Sequence, residues 1–123
     1  MTIGHIYTVA GNGTGGFSGD GGPATSAGLV AGDVAADGAG NLVFADGDKR
    51  VRVVAAKTGT FYGKAMTAGD IYTIAGKRSR GYNGDNRPAA KALLNQPEGV
   101  AVNAAGNVLI ADEHNWRIRM ITH

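Results

Sequence analysis

The chain has no cysteine, which removes disulfides and thiolate metal sites together and leaves the redox compartment open. It has no excess of either charge: 12 basic and 10 acidic side chains leave +2, too little to hold nucleic acid by electrostatics. Lys49, Arg50, Arg52 and Lys57 form one modest basic cluster and Lys77, Arg78 and Arg80 another, and both read as solvated loops. Nor is there any apolar run near the roughly 20 residues needed to cross a bilayer, and Met1 is not followed by an apolar signal segment. Nucleic acid and membrane are therefore not expected as partners. Proline (three residues) is ordinary and aromatic residues make up only 7%.

What the chain does have is glycine and small aliphatic residues. Its 21 glycines are more than twice the usual share, without a three-residue period, and call for many tight turns. Val, Ile and Ala dominate the apolar set and favour sheet wherever alternation is visible. At 123 residues and 43% hydrophobic, one ordinary domain with a real core is expected.

An internal repeat governs the fold. Gly99 to Ile121 (GVAVNAAGNVLIADEHNWRIRMI) holds three short apolar runs separated by a turn at 104–107 and a polar bend at 112–116. Asp33 to Val54 carries the same pattern, with Val34, Asn41, Ala45 and Asp46 matching Val100, Asn107, Ala111 and Asp112 at a spacing of 66. Ile71 to Gly76 copies residues 6–11 at a spacing of 65, and Gly84, Asp85, Pro88, Ala89 and Leu94 copy Gly19, Asp20, Pro23, Ala24 and Leu29. Phe17 and Tyr82 also correspond. The first cycle predicts four strands, 34–36, 42–45, 51–54 and 71–75, joined as an antiparallel meander. Residues 55–70 read as a looser connection in which Phe61 and Tyr62 either pack on the sheet or stay in solvent. The second cycle predicts only three strands, 100–102, 108–110 and 118–121. The missing fourth is of the type found at 6–10.

These residues resemble the NHL repeat of six-bladed β-propellers, especially the bacterial type with long GDGG-PA insertions. GDVAADGAGNLVFADGDKRVRVV and GVAVNAAGNVLIADEHNWRIRMI carry the resemblance; GDGGPATSAGL at 19–29 is similar to the insertion, and GDNRPAAKALL at 84–94 departs from it. The resemblance implies an all-β fold of NHL-type propeller blades: a blade at 32–75, a partial blade at 99–122, and strand 6–10 completing a neighbouring blade. Two blades cannot surround an axis, so heterologous contacts between copies are expected to close the ring. Three copies, a homotrimer, would make six blades. A piece cut from a longer propeller would carry the same pattern. For function the resemblance implies little, since such propellers include protein-binding modules, RNA-binding modules and the peptide-amidating lyase, and related six-bladed folds include lactonases and the streptogramin lyase.

Meander topology puts the 37–41, 103–107 and 55–70 links on one side of the disc. The 46–50 and 112–116 bends lie on the other side with the insertions 11–31 and 76–98. That second face is where a ligand is expected, with Asp48, Lys49, Tyr82, Arg87, Glu113, His114 and Trp116 as its contacts and Asp20, Arg80 and Asp85 nearby. His114 beside Glu113 has the chemistry of an acid–base or metal residue. A metal site needs three or four converging ligands, so none is expected from one chain, and no cofactor is implied. Asp20 and Asp85 match no calcium loop, and Gly11 to Gly22 lacks the ending of a phosphate loop. Trp116 suits a sugar or peptide contact and suits inter-blade packing equally. Asp46 and Asp112 are expected to accept backbone N–H bonds at the bends, and in the resembled family an arginine placed like Arg52 or Arg119 anchors blade-to-blade packing. The reading is a self-assembling scaffold that binds a small molecule or peptide; its rival is a lyase or hydrolase with a metal-dependent site in the channel, shared by several protomers.

Overall fold

The computed structural model describes residues 1–123 as an all-β chain with three single-turn 3-10 helices. β1 (Ala31–Ala36), β2 (Leu42–Asp46), β3 (Arg50–Val54) and β6 (Ile71–Gly76) form an antiparallel sheet in that order, and β7 (Pro97–Val102), β8 (Val108–Asp112) and β9 (Arg117–Ile121) form a second. A small two-stranded sheet pairs β4 (Gly59–Phe61) with β5 (Lys64–Met66). The two larger sheets are built alike, with Leu42 opposite Val54 in one and Val108 opposite Ile121 in the other. A bulge between Ala31 and Val34 recurs between Pro97 and Val100.

Turn chemistry explains the first link of each sheet. Asp37 Oδ1 accepts the N–H groups of Ala39 and Asn41, both at 2.9 Å, and Gly40 takes φ 86°. Asn103 serves Ala105 and Asn107 in the same way, both at 3.0 Å, with Gly106 at φ 86°. Short side-chain acceptors close such turns at little cost, and glycine supplies the positive φ.

The sheets pack face to face. Val43, Ala45, Val51 and Val53 leave the first sheet on one side and meet Val100, Val108 and Ile110 of the second, together with Leu94 of the second insertion. Each fully buried aliphatic side chain contributes about 1.5–3 kcal/mol relative to exposure. The opposite side of the first sheet, with Phe44, Val54 and Ile71, is covered by Ala24 and Ala27 of the first insertion. The face of the second sheet that matches the inter-sheet side of the first has no such cover. By the repeat, Ile118 and Met120 stand where Val51 and Val53 stand, yet they are 73% and 51% exposed while both valines are at 0%.

Residues 55–70, expected as a loose connection, instead hold the β4–β5 hairpin. Its turn places Tyr62 at φ 53° and Gly63 at φ 73°, the two positive angles that a tight hairpin requires. Phe61 and Tyr62 are half-buried against the inter-sheet core. Residues 6–10, expected as a strand, form no ladder within the chain; Ile6 is 97% exposed whereas its repeat counterpart Ile71 is at 0%. The first insertion also takes a path not expected from the sequence. It leaves the bend side and runs along the outer edge of β6, where Gly21 N–H donates to Ile71 O (2.6 Å), Ile71 N–H to Gly22 O (3.0 Å) and Ala24 N–H to Gly69 O (2.9 Å). An edge strand is thereby capped.

Candidate functional site

Each insertion is clamped to its sheet by an arginine of the third strand. Arg52, fully buried, donates from Nη1 to Asp46 Oδ2 (2.9 Å) and Gly28 O (3.0 Å), and from Nη2 to Ser18 O (2.9 Å) and Asp20 Oδ1 (3.2 Å). Arg119 donates from Nη1 to Asp112 Oδ2 (3.1 Å) and Leu93 O (2.8 Å), from Nη2 to Gly84 O (2.9 Å) and from Nε to Asp85 Oδ1 (3.2 Å). Each arginine holds the insertion that precedes its own sheet. Alternation puts Arg52 on the face of Phe44, away from the inter-sheet core, and Arg119 on the face of Ile110, toward it; each side chain ends under the insertion. The carboxylates reach the insertions too: Asp46 Oδ1 accepts Val30 N–H (2.7 Å) and Asp112 Oδ1 accepts Asn95 N–H (2.8 Å), in place of N–H groups of the bends.

An aromatic ring completes each clamp. Arg50 and Arg52 lie 3.7 and 4.5 Å from the Phe17 ring centre, and Arg117 and Arg119 lie 4.1 and 5.1 Å from that of Tyr82. Tyr82, a ligand-contact candidate by residue type, is thus engaged with two arginines of its own chain, and its hydroxyl reaches Asp85 Oδ2 at 3.3 Å.

The remaining candidates fall into three separate places. Asp48 pairs with Arg80 (3.3 Å) and Lys49 (3.5 Å) at the first bend, where exposed pairs contribute about 0–1 kcal/mol. Glu113, His114 and Trp116 sit at the second bend. His114 is exposed and its backbone N–H donates to Asn95 O (3.0 Å); Trp116 is 90% exposed in a left-handed conformation, φ 57°. Trp116 and Glu113 border a shallow groove with Glu98, Arg117 and Ile118. A hydrogen bond to Glu113, and then its negative charge, push the Glu98 carboxyl above the usual range. Glu98 was not legible as a partner because most of β7, its turn and all of β8 lie between it and the bend in sequence. Arg87 stands apart from these groups and lines a groove beside β9.

That groove is the largest departure from what residue types suggested. About 310 Å³ in volume, it lies between the free edge of β9 and the second insertion and is lined by Ala75, Ala89, Leu94, Ile110 and Ile121. A second groove continues it past Ile74, Pro88 and Met120. The count of strands per repeat was the one sequence signal for it.

On the opposite side, Tyr62 Oη donates to Asp37 Oδ2 at 2.7 Å. Burial, then the hydrogen bond to Asp37 and its charge, hold the Tyr62 phenol well above the tyrosine range. Burial pushes Asp37 up, but the bonds from Tyr62, Asn41 and the Ala39 backbone outweigh it and hold the carboxyl below its usual value. No three His, Asp or Glu side chains converge as a metal ion would require.

Residues 94–119 match the NHL repeat. The matched stretch runs from the core anchor Leu94 through β7 and β8 to the clamp arginine Arg119. The chain thus carries an NHL motif on small antiparallel sheets that agree with partial propeller blades, short of a six-bladed ring. A search of curated proteins found no match to the chain.

Proposed function

We propose that the chain is a self-assembling propeller module, a structural or binding scaffold whose copies join head to tail, three of them making a six-bladed homotrimer. One observation carries this reading. The second blade ends in an unpaired strand edge and an apolar surface at Ile118 and Met120, while the equivalent positions of the first blade are paired and fully buried. Heterologous contacts of that kind propagate until a ring closes. In the ring the bends gather on one face, where Glu113, His114 and Trp116, with Asp48 and Lys49 of the other bend, are the surface offered to a small molecule or peptide. No observation favours a lyase or hydrolase: His114 has no converging metal ligands, and Arg52 and Arg119 are committed to structural bonds.

Absolute mass by light scattering during size exclusion tests the reading. Three copies of a 12.5 kDa chain give about 37.5 kDa. A folded, monodisperse species at the mass of one chain would overturn it.

A further inference from the structure

We infer that Thr2–Gly11 of one copy locks into the groove between β9 and the second insertion of the next, in a register fixed by the internal repeat. The inference rests on the ring reading above and adds how the joint is made.

The first blade displays the finished joint. There β6 lies between β3 and residues 20–24, with Gly76 opposite Arg50, Ala75 opposite Val51, Thr73 opposite Arg52, Tyr72 opposite Val53 and Ile71 opposite Val54. On its far edge Asp20 Oδ2 accepts Thr73 N–H at 3.1 Å. In the second blade both walls exist and the strand between them does not. The outer wall has the same backbone: Gly84 takes φ 93° and Asn86 φ 59°, as Gly19 takes 82° and Gly21 83°. Pro88 at φ −53°, ψ 132° opens a single 3-10 turn as Pro23 does at −57°, 130°. Asparagine is among the few residues that tolerate the left-handed region.

The arm is also preformed. Tyr7 Oη accepts Thr2 N–H at 2.8 Å, as Tyr72 Oη accepts Thr67 N–H at 2.8 Å. His5 N–H donates to Thr2 O (3.2 Å) as Asp70 N–H donates to Thr67 O (3.1 Å), and Gly4 takes φ 81° as Gly69 takes 83°. Undocked, the arm already has the local shape of its docked counterpart, which lowers the ordering cost of binding.

Docking is between copies. Ala10 packs with the Phe44 and Val54 cluster on one side of the first sheet, and the second blade lies on the other. The first sheet therefore stands between the arm and the groove of its own chain.

Transferring the register gives Gly11 opposite Arg117, Ala10 opposite Ile118, Thr8 opposite Arg119, Tyr7 opposite Met120 and Ile6 opposite Ile121. On the outer side, Asp85 Oδ2 accepts Thr8 N–H, Asn86 N–H donates to Ile6 O, Ile6 N–H donates to Arg87 O, and Ala89 N–H donates to Gly4 O. Arg87 belongs to this joint through its carbonyl.

A cysteine-free chain makes the test direct. Ala10→Cys with Ile118→Cys should oxidise to a disulfide between copies, giving covalent two- and three-chain species on a non-reducing gel, because facing residues meet the Cα spacing that a disulfide needs. An equimolar mixture of the two single variants should stop at two chains. Thr8→Cys with Ile118→Cys, in which the two side chains take opposite faces as Thr73 and Val51 do, should not link. A 37.5 kDa particle in which the Ala10 pair fails, or the Thr8 pair links instead, overturns this register and leaves the ring intact. A monomer overturns both. Should the cysteine variants misfold, Asp85→Ala gives the second reading: loss of a charge-assisted bond should weaken assembly about ten- to a hundredfold, and unchanged dissociation on dilution would contradict the lock.

Discussion

Arg52 shows at the scale of one residue how the blade holds its insertion. It is a fully buried cation with two carboxylate partners and two carbonyls. Its replacement by alanine leaves Asp46 charged and buried, a kind of loss that costs about 3–5 kcal/mol; the urea midpoint should fall accordingly. The resemblance implied a structural role for Arg52 and Arg119, but the partners were not legible, because carbonyls of a glycine-rich loop leave no mark in a sequence. Tyr82 reads as a ligand contact by residue type and turns out to lie against two arginines. Tyr62 and Asp37 yield a pH prediction. The raised phenol favours the fold while neutral, so its contribution is intact below its ordinary value of 10 and is lost as pH rises through the folded value. The depressed Asp37 carboxyl acts at the other end: its contribution persists above the usual carboxyl range and disappears as pH falls through the folded value. Ultraviolet titration should find one tyrosine still protonated well above pH 10, and Asp37→Asn should move that late step to lower pH without removing it, because burial remains.

At the scale of elements, the seven main strands were legible because alternation, turn residues and repetition all agree. The β4–β5 hairpin was not. Its turn is Tyr62-Gly63, without the Asn-Gly or Asp-Gly that usually signals two positive φ angles, and the contact that holds it, Tyr62 to Asp37, spans 25 residues. The insertion's path along β6 was equally hidden, since it is fixed by backbone bonds. Gly76 and its copy Gly11 separate folding from assembly. A Cβ on Gly76 would collide with the carbonyl of Lys49, whereas one on Gly11 meets only the Leu29 side chain at 3.6 Å. Each substitution carries about 1–2 kcal/mol for the left-handed backbone. Gly76→Ala should therefore lower the melting temperature further than Gly11→Ala. Gly11→Ala should chiefly dissociate the assembly, as read by mass on dilution, because the matching collision, with the Trp116 carbonyl, arises only on docking.

For the whole molecule, two blades bury one shared core and leave two different surfaces, the arm with its flanking sheet face and the β9 edge. A free strand edge beside exposed Ile118 and Met120 invites pairing, and the repeat names the segment that fits. The strand count made the missing fourth strand legible; the local shape of residues 2–11 and the course of the second insertion were not, since both depend on backbone angles and loop bonds. The most direct measurement is amide hydrogen exchange of residues 5–11, followed by mass spectrometry at micromolar concentration beside residues 70–76 of the same chain. Docking in the groove predicts comparable protection of the two segments, falling for 5–11 alone on dilution. Exchange of residues 5–11 at the rate of an unstructured chain, in a protein whose 70–76 segment stays protected at every concentration, would contradict the account.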